Sequence, residues 1–347
     1  MSARRPLSKL GFLHIVPFTR DDPARGLQEA LRLFEYGEEL GLDGGWIRTR
    51  HVQYGVPSAA VFLAAAAQRT RRLELGTAVI PTVYESPLRL AEDLGLADLL
   101  SDGRLQPGLS VGPAKHSDQV AENILGPGWR EEDISYGRLE RILGFIRGVQ
   151  VDETEREIGL GGAVEMSSDR VEPHSEGLAS RIWYGGGSLR SAEWAGRTGL
   201  KLLVSNICSA DGFTEFELAQ RAQIDRFREH HPAGERAVVS KGHVILPTDN
   251  ATAQQREKFE AYVEARTPRT RYAEGARTLI ARDIIGSTEE IVERIRQDLG
   301  FQGADEILIE LPFQFDDADV RHIVREFAEN IGPALGWSPA SQSQAVK

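Results

Sequence analysis

Short runs of β-branched and other apolar residues alternate along the chain with segments whose apolar positions recur at helical spacing. The runs predict strands at Leu10–Pro17, Gly44–Ile47, Leu73–Ile80, Leu105–Val111, Ile182–Gly185, Leu200–Ser205, Ala237–Leu246 and Glu306–Leu311. A helix-period stretch follows each of them. Leu27, Leu31 and Phe34 share one face of the first, and Leu139, Ile142, Leu143 and Ile146 share a face of the fourth. Val320, Ile323, Val324, Phe327 and Ile331 form an apolar stripe on the last. Ser287 with Glu290 reads as a capping box, Asp211 precedes another helical run, and Pro57 and Pro87 stand where first-turn prolines are tolerated. Eight βα units predict an α/β chain closed as a (β/α)8 TIM barrel with its helices outside. An open doubly wound sheet in two domains is the competing arrangement.

Two stretches break the rhythm. Pro113 to Ile134, after strand 4, is rich in Gly, Pro and charge, and Val151 to Ser180 is a polar insertion after helix 4. The βα loops of a barrel gather at the face where ligands bind, so the first insertion is expected to form a pocket wall or lid. Residues 1–337 are read as one domain and Ser338 to Lys347 as a disordered tail.

Composition narrows the classes. The chain has 347 residues, 41% hydrophobic and 27% charged, enough to bury a sizeable core. Its formal charge of −11 argues against a nucleic-acid surface, which needs clustered Lys and Arg, but leaves room for a phosphorylated cofactor held by a few amides. Cys208 is the only cysteine, which excludes an intrachain disulfide framework and a thiolate metal cluster. The apolar stretch from Leu10 to Phe18 is broken by His14 and is too short to span a membrane, so a cytoplasmic protein without a membrane partner is expected.

The strongest local signal is Trp183-Tyr184-Gly185-Gly186-Gly187-Ser188, three glycines between a strand and a helix. Such a turn lets backbone approach a ligand, and free amides at the helix start favour an anion. Ser188 can serve there as helix cap or as phosphate donor; a plain tight turn with a capping serine is the alternative. It is not a dinucleotide fingerprint, because Arg190 stands at the third glycine position. Gly76-Thr77-Ala78-Val79 puts small residues at the end of strand 3, where a flat ligand has room. Ser101 to Gly103 reads as an αβ turn, with Arg104 paired to a helix carboxylate at the barrel bottom. No His-x-His pair marks a metal-dependent barrel hydrolase. Gly108-Leu109-Ser110-Val111-Gly112 has the letters of a nucleophile elbow, but its serine lies inside a strand rather than at a strand-to-helix turn.

Taken in order, Gly76-Thr77-Ala78-Val79, Pro87 with Ala91-Glu92-Asp93, Leu100-Ser101-Asp102-Gly103-Arg104-Leu105 and Gly108 resemble the luciferase-like flavin monooxygenases. Trp46-Ile47-Arg48 leading to His51, the Trp183–Ser188 turn and Gly286-Ser287-Thr288-Glu289-Glu290 fall where that family has counterparts, so the likeness runs from about Leu10 to Leu335. The resemblance implies FMN at the C-terminal mouth of the barrel, its ring against a cis peptide at Ala78–Val79, with Ser110 lining the pocket. It puts the phosphate at Gly186, Gly187 and Ser188, within reach of Tyr136.

Two departures stand out. The family's Cys-Arg pair in strand 4 reads Ser110-Val111, which removes a phosphate-binding arginine. Its Glu-His-His after strand 2 reads Thr49-Arg50-His51, so a permanent cation stands where a base is expected. His51 or Arg50 would supply polar catalysis, and Arg50 either stabilises an anion formed in the reaction or holds an acidic substrate. The implied function is a flavin-dependent oxidoreductase, a two-component monooxygenase using reduced FMN and O2 on a small organic substrate. A flavin reductase as transient partner and a homodimer come with it. An F420-dependent hydride-transfer enzyme and a non-catalytic flavin-binding protein are the alternatives.

Overall fold

The computed structural model describes residues 7–111, 117–152, 156–160, 163–270 and 275–339. Eight parallel strands form the core: β1 (Lys9–His14), β2 (Gly44–Ile47), β3 (Glu74–Thr77, resuming at Ile80–Pro81), β4 (Leu105–Gln106 and Gly108–Ser110), β5 (Trp183–Gly185), β6 (Lys201–Val204), β7 (Val239–His243) and β8 (Glu306–Glu310). Each pairs with its sequence neighbour except between β8 and β1, which close the ring through Lys9 opposite Glu306 to Leu13 opposite Glu310. Both β3 and β4 are interrupted. Leu75 faces Leu105 below the break and Ile80 faces Leu109 above it. The sheet is therefore a closed barrel rather than an open doubly wound sheet. All eight strand positions expected from the apolar runs are occupied, most of them trimmed by one or two residues.

The barrel helices are α1 (Pro23–Glu39), α2 (Ala59–Ala67), α3 (Pro87–Leu100), α5 (Tyr136–Ile146), α6 (Leu189–Thr198), α7 (Phe216–His230), α9 (Thr288–Gln297) and α11 (Asp317–Glu326). Leu31 and Phe34, the four apolar residues of α5, and Val320, Ile323 and Val324 of α11 are all buried, so the stripes read from periodicity face the sheet. Pro87 opens α3, and Ser287 with Glu290 forms a reciprocal capping box on α9. Asp211 departs from its expected role. Glu215, not Asp211, stands at the N-cap position of α7, without a side-chain capping bond, and the Asp211 carboxylate turns back to accept the Leu189 N–H at the start of α6.

Three further pieces interrupt the βα alternation. After β4 the chain forms α4 (Ser117–Leu125) and a single turn at Trp129–Glu131, with Gly112 to His116 outside the described residues. After α5 it forms an antiparallel hairpin, Arg156–Leu160 with Ala163–Ser167. The third piece lies between β7 and α9 and was not expected. It contains Ile245–Pro247, α8 (Ala253–Arg266), Thr278–Ile280 and Ile284–Gly286, and the strand at Ile207–Ser209 pairs with Thr278–Ile280. The helix α10 (Leu299–Gly303) then leads into β8. Of the expected disordered tail, residues 340–347 lie outside the described residues.

The barrel interior is layered. At the N-terminal end Lys9, Glu74, Gln106, Lys201 and Glu306 form a polar plug, with Lys9 Nζ 2.6 Å from Glu74 Oε1 and Trp183 Nε1 donating to Gln106 Oε1 at 3.0 Å. Above it Leu13, Trp46, Trp183, Leu203 and Leu308 pack as an apolar layer, the two indoles edge to face at 5.5 Å. The layer above that is open and forms the floor of a pocket. Arg104 has the structural role expected of it but different partners. It donates to the carbonyls of Ala67, Thr70, Leu73 and Ser101, while the carboxylate of Asp98 is taken by Arg181 at 2.5 Å.

Candidate functional site

A cavity of about 660 Å3 opens at the C-terminal mouth of the barrel, within the size range of small-molecule sites. All nine residues singled out from the sequence line it: Arg50, His51, Ala78, Val79, Ser110, Tyr136, Gly186, Gly187 and Ser188. They come from the ends of β2 to β5 and the starts of α5 and α6, brought together because every barrel strand points its C-terminal end at one face.

The floor is the interruption of β3. The Ala78–Val79 peptide is cis, and its carbonyl and the next one along accept hydrogen bonds from the segment after β2: Arg48 Nε donates to Ala78 O and Thr49 Oγ1 to Val79 O, each at 3.1 Å. Below it Thr77 Oγ1 donates to Gly108 O at 2.8 Å and accepts Gly108 N–H at 2.7 Å, which ties β3 to β4 across the break. The next wall is the glycine turn. A Cβ at Gly185 would come within 2.8 Å of Val79 Cγ1, and one at Gly186 within 2.8 Å of Leu202 Cδ1. These two glycines are required by packing. At Gly187 the nearest atom would be Ile207 O at 3.9 Å, so that position is open.

Ser188 is the N-cap of α6: Ser191 N–H donates to Ser188 Oγ at 3.1 Å, and Ser188 N–H donates to Ser191 Oγ at 2.9 Å. Gly187 N–H donates to Ser191 Oγ at 3.1 Å, and Leu189 N–H to Asp211 Oδ2 at 2.6 Å. Four amides at this helix start, those of Gly187, Ser188, Leu189 and Ser191, are thus bonded within the protein. A phosphate binding here would have to exchange those bonds and displace one carboxylate, and Ser188, Ser191 and the amides of 187–189 are the donors it would use. The Tyr136 ring closes this end, stacked on Trp194 at 4.5 Å with its hydroxyl 3.5 Å from that of Tyr184. Burial and that hydroxyl push the Tyr184 phenol upward, so it stays protonated. An apolar floor beside a glycine wall with hydroxyls and amides at one end suits a flat ring with an anionic tail.

The other end carries charge. His51 packs edge to face on Tyr84 at 5.0 Å; its Nε2 is buried and without a hydrogen-bond partner among the described residues, and burial lowers its pKa. The imidazole is therefore neutral near pH 7, free to accept a proton or a hydrogen bond. Two residues missed in the sequence complete this end. Arg48 Nη2 lies 3.5 Å from Glu310 Oε2, and both line the pocket. The signals were present: Arg48 continues the inward parity of Gly44 and Trp46, and Glu310 is a carboxylate ending a buried apolar strand.

The model of the family described as luciferase-like monooxygenase matches residues 10–306. The chain is 29% identical over 174 residues to an F420-dependent glucose-6-phosphate dehydrogenase of Intrasporangium calvum, covering 47% of this chain and 49% of that protein. It is 38% identical over 97 residues to limonene 1,2-monooxygenase of Rhodococcus erythropolis, covering 27% and 24%. The matches thus span about half or less of the length of these relatives. Among solved structures it superposes on the oxygenating constituent of 3,6-diketocamphane monooxygenase from Pseudomonas putida, in complex with FMN, with a TM-score of 0.66 at 16% identity over 96% of this chain and 99% of that one. That likeness is one of fold. The family match extends over nearly the whole barrel: the chain belongs to the luciferase-like monooxygenase family.

Proposed function

We propose that the protein is a flavin-dependent oxidoreductase, a two-component monooxygenase that takes reduced FMN from a separate reductase and oxidises a small organic substrate with O2. The observation that carries this reading is the two-ended pocket, apolar under Ala78 and Val79, with hydroxyls and amides at α6 and ionic groups at the β2 and β8 side. Reduced flavin bound there would supply the electrons for oxygen activation. Ala78 and Val79 support the ring, Ser110 and Tyr136 wall it, and Gly186, Gly187 and Ser188 receive the phosphate. The aliphatic walls keep water from the reacting atoms. His51, neutral and unpartnered at Nε2, accepts a proton from substrate, and Arg50 holds negative charge. Exposed Leu88, Leu96, Leu99 and Leu100 along α3 support a homodimer as part of this proposal.

F420-dependent hydride transfer is the second reading, favoured by F420-dependent dehydrogenases among the relatives. Oxygen uptake separates the two. Photoreduced FMN mixed with air-saturated protein is expected to reoxidise at a rate different from that of free reduced FMN, with reduced F420 unaffected. Identical reoxidation with and without protein contradicts the monooxygenase reading.

A further inference from the structure

At the end of the pocket away from α6, the charged side chains lining the cavity, among the described residues, are Arg48, Arg50 and Glu310. Arg48 is committed, through Nε to the Ala78 carbonyl and through Nη2 to Glu310. Glu310 is 8% exposed and its Oε1 lies over Gly242, where a Cβ would come within 2.7 Å. That carboxylate pairs directly with Arg48 and reaches Arg50 only through space.

The Arg50 guanidinium makes no hydrogen bond or ion pair among the described residues. Its stem is nevertheless held: Arg50 N–H donates to Val56 O at 2.8 Å, and a Cβ at Gly55 would come within 3.0 Å of Arg50 Cγ. Burial and the neighbouring Arg48 charge disfavour its cationic form, while the Glu310 carboxylate, beyond ion-pair distance, favours it. Arginine does not give up its proton in a protein, so the charge stays, half-buried and with no direct partner among the described residues. The cavity lining also offers an aliphatic surface from Leu13, Val111, Val120, Leu203 and Leu308, alongside polar groups such as Thr49, Gln53 and Asn206.

We infer that the substrate is a small organic acid, its anionic group paired with the Arg50 guanidinium and its hydrocarbon part lying along the aliphatic wall. A planar carboxylate or a sulfonate matches the guanidinium fork with two parallel hydrogen bonds. A neutral alcohol, amide or hydrocarbon leaves the charge unmatched. This inference rests on the mouth pocket being the substrate site, as proposed above.

The test is calorimetric titration of the full chain with hexanoate, hexane-1-sulfonate and hexanamide, the first and last being isosteric and differing in charge. FMN affinity is measured on the same preparations. Both anions are expected to bind at least tenfold more tightly than hexanamide. Arg50→Gln, with its circular dichroism unchanged, is expected to lose that preference while still binding hexanamide, and Arg50→Lys to keep part of it. Equal binding of hexanoate and hexanamide, no measurable hexanoate binding, or a preference that survives in folded Arg50→Gln overturns the inference. A preference for the anions in protein that fails to bind FMN upholds the anion site and refutes the flavin reading instead.

Discussion

At the residue scale, single side chains decide what the pocket can hold. Asp211 occupies the Leu189 N–H and also accepts from Ser209 Oγ at 2.7 Å, so it competes with any phosphate approaching α6. Asp211→Asn removes the negative charge and is expected to tighten FMN binding about tenfold, the gain expected from relieving one like-charge contact of about 1.4 kcal/mol. Riboflavin, lacking the phosphate, should bind the two proteins equally; an equal gain for both ligands would refute this role. His14 makes a second prediction. Burial lowers its pKa from 6.5 to about 4, so the folded protein keeps it neutral while the unfolded chain protonates it. Its contribution is complete above the unfolded value and is lost as pH falls from 6.5 towards 4. Urea unfolding at pH 7 and pH 5 should show that His14→Leu loses less stability on acidification than the parent, by about 2 kcal/mol. An unchanged difference would contradict it. Arg50 and His51 were legible through the family resemblance of the segment after strand 2, whereas the Asp211 contact was not: it joins residues 22 apart through a loop.

At the element scale, strand ends and helix starts build the site, and the glycines show which constraint each one serves. Gly76 sits in β3 directly over Trp46, where a Cβ would fall 2.1 Å from Cδ2. Gly76→Ala is expected to destabilise the barrel by about 3 kcal/mol, the upper range for overpacking a rigid core. Gly187→Ala meets open space, so its unfolding midpoint should match the parent while FMN affinity falls. A large stability loss at Gly187, or none at Gly76, would contradict this division. Periodicity revealed β1 to β8 and the buried faces of α5 and α11 because each packs on its immediate neighbours. It did not reveal the insertion after β7. Ile245–Pro247 pairs with Ile284–Gly286 and Ile207–Ser209 with Thr278–Ile280, three-residue strands whose partners are tens of residues away. Runs that short look like the end of a longer strand, and Ala237–Leu246 was read as one.

At the scale of the whole molecule, barrel closure puts nine candidate residues from distant parts of the chain around one cavity and separates its two ends. The polar plug at the N-terminal end and the Trp46–Trp183 layer fill the interior, so the mouth is where a ligand enters. A reader of the sequence could infer the mouth from the eightfold alternation. The Arg48–Glu310 pair needed the ring to close, since it joins the ends of β2 and β8. The family match leaves two cofactor chemistries among the relatives, FMN and F420, and choosing between them is the central claim. Anaerobic equilibrium titration of the full chain with FMN, reduced FMN and F420 tests it most directly. The account predicts saturable binding with reduced FMN the tightest of the three. Preference for F420 would contradict the monooxygenase reading in favour of hydride transfer, and binding of none would remove the cofactor claim altogether.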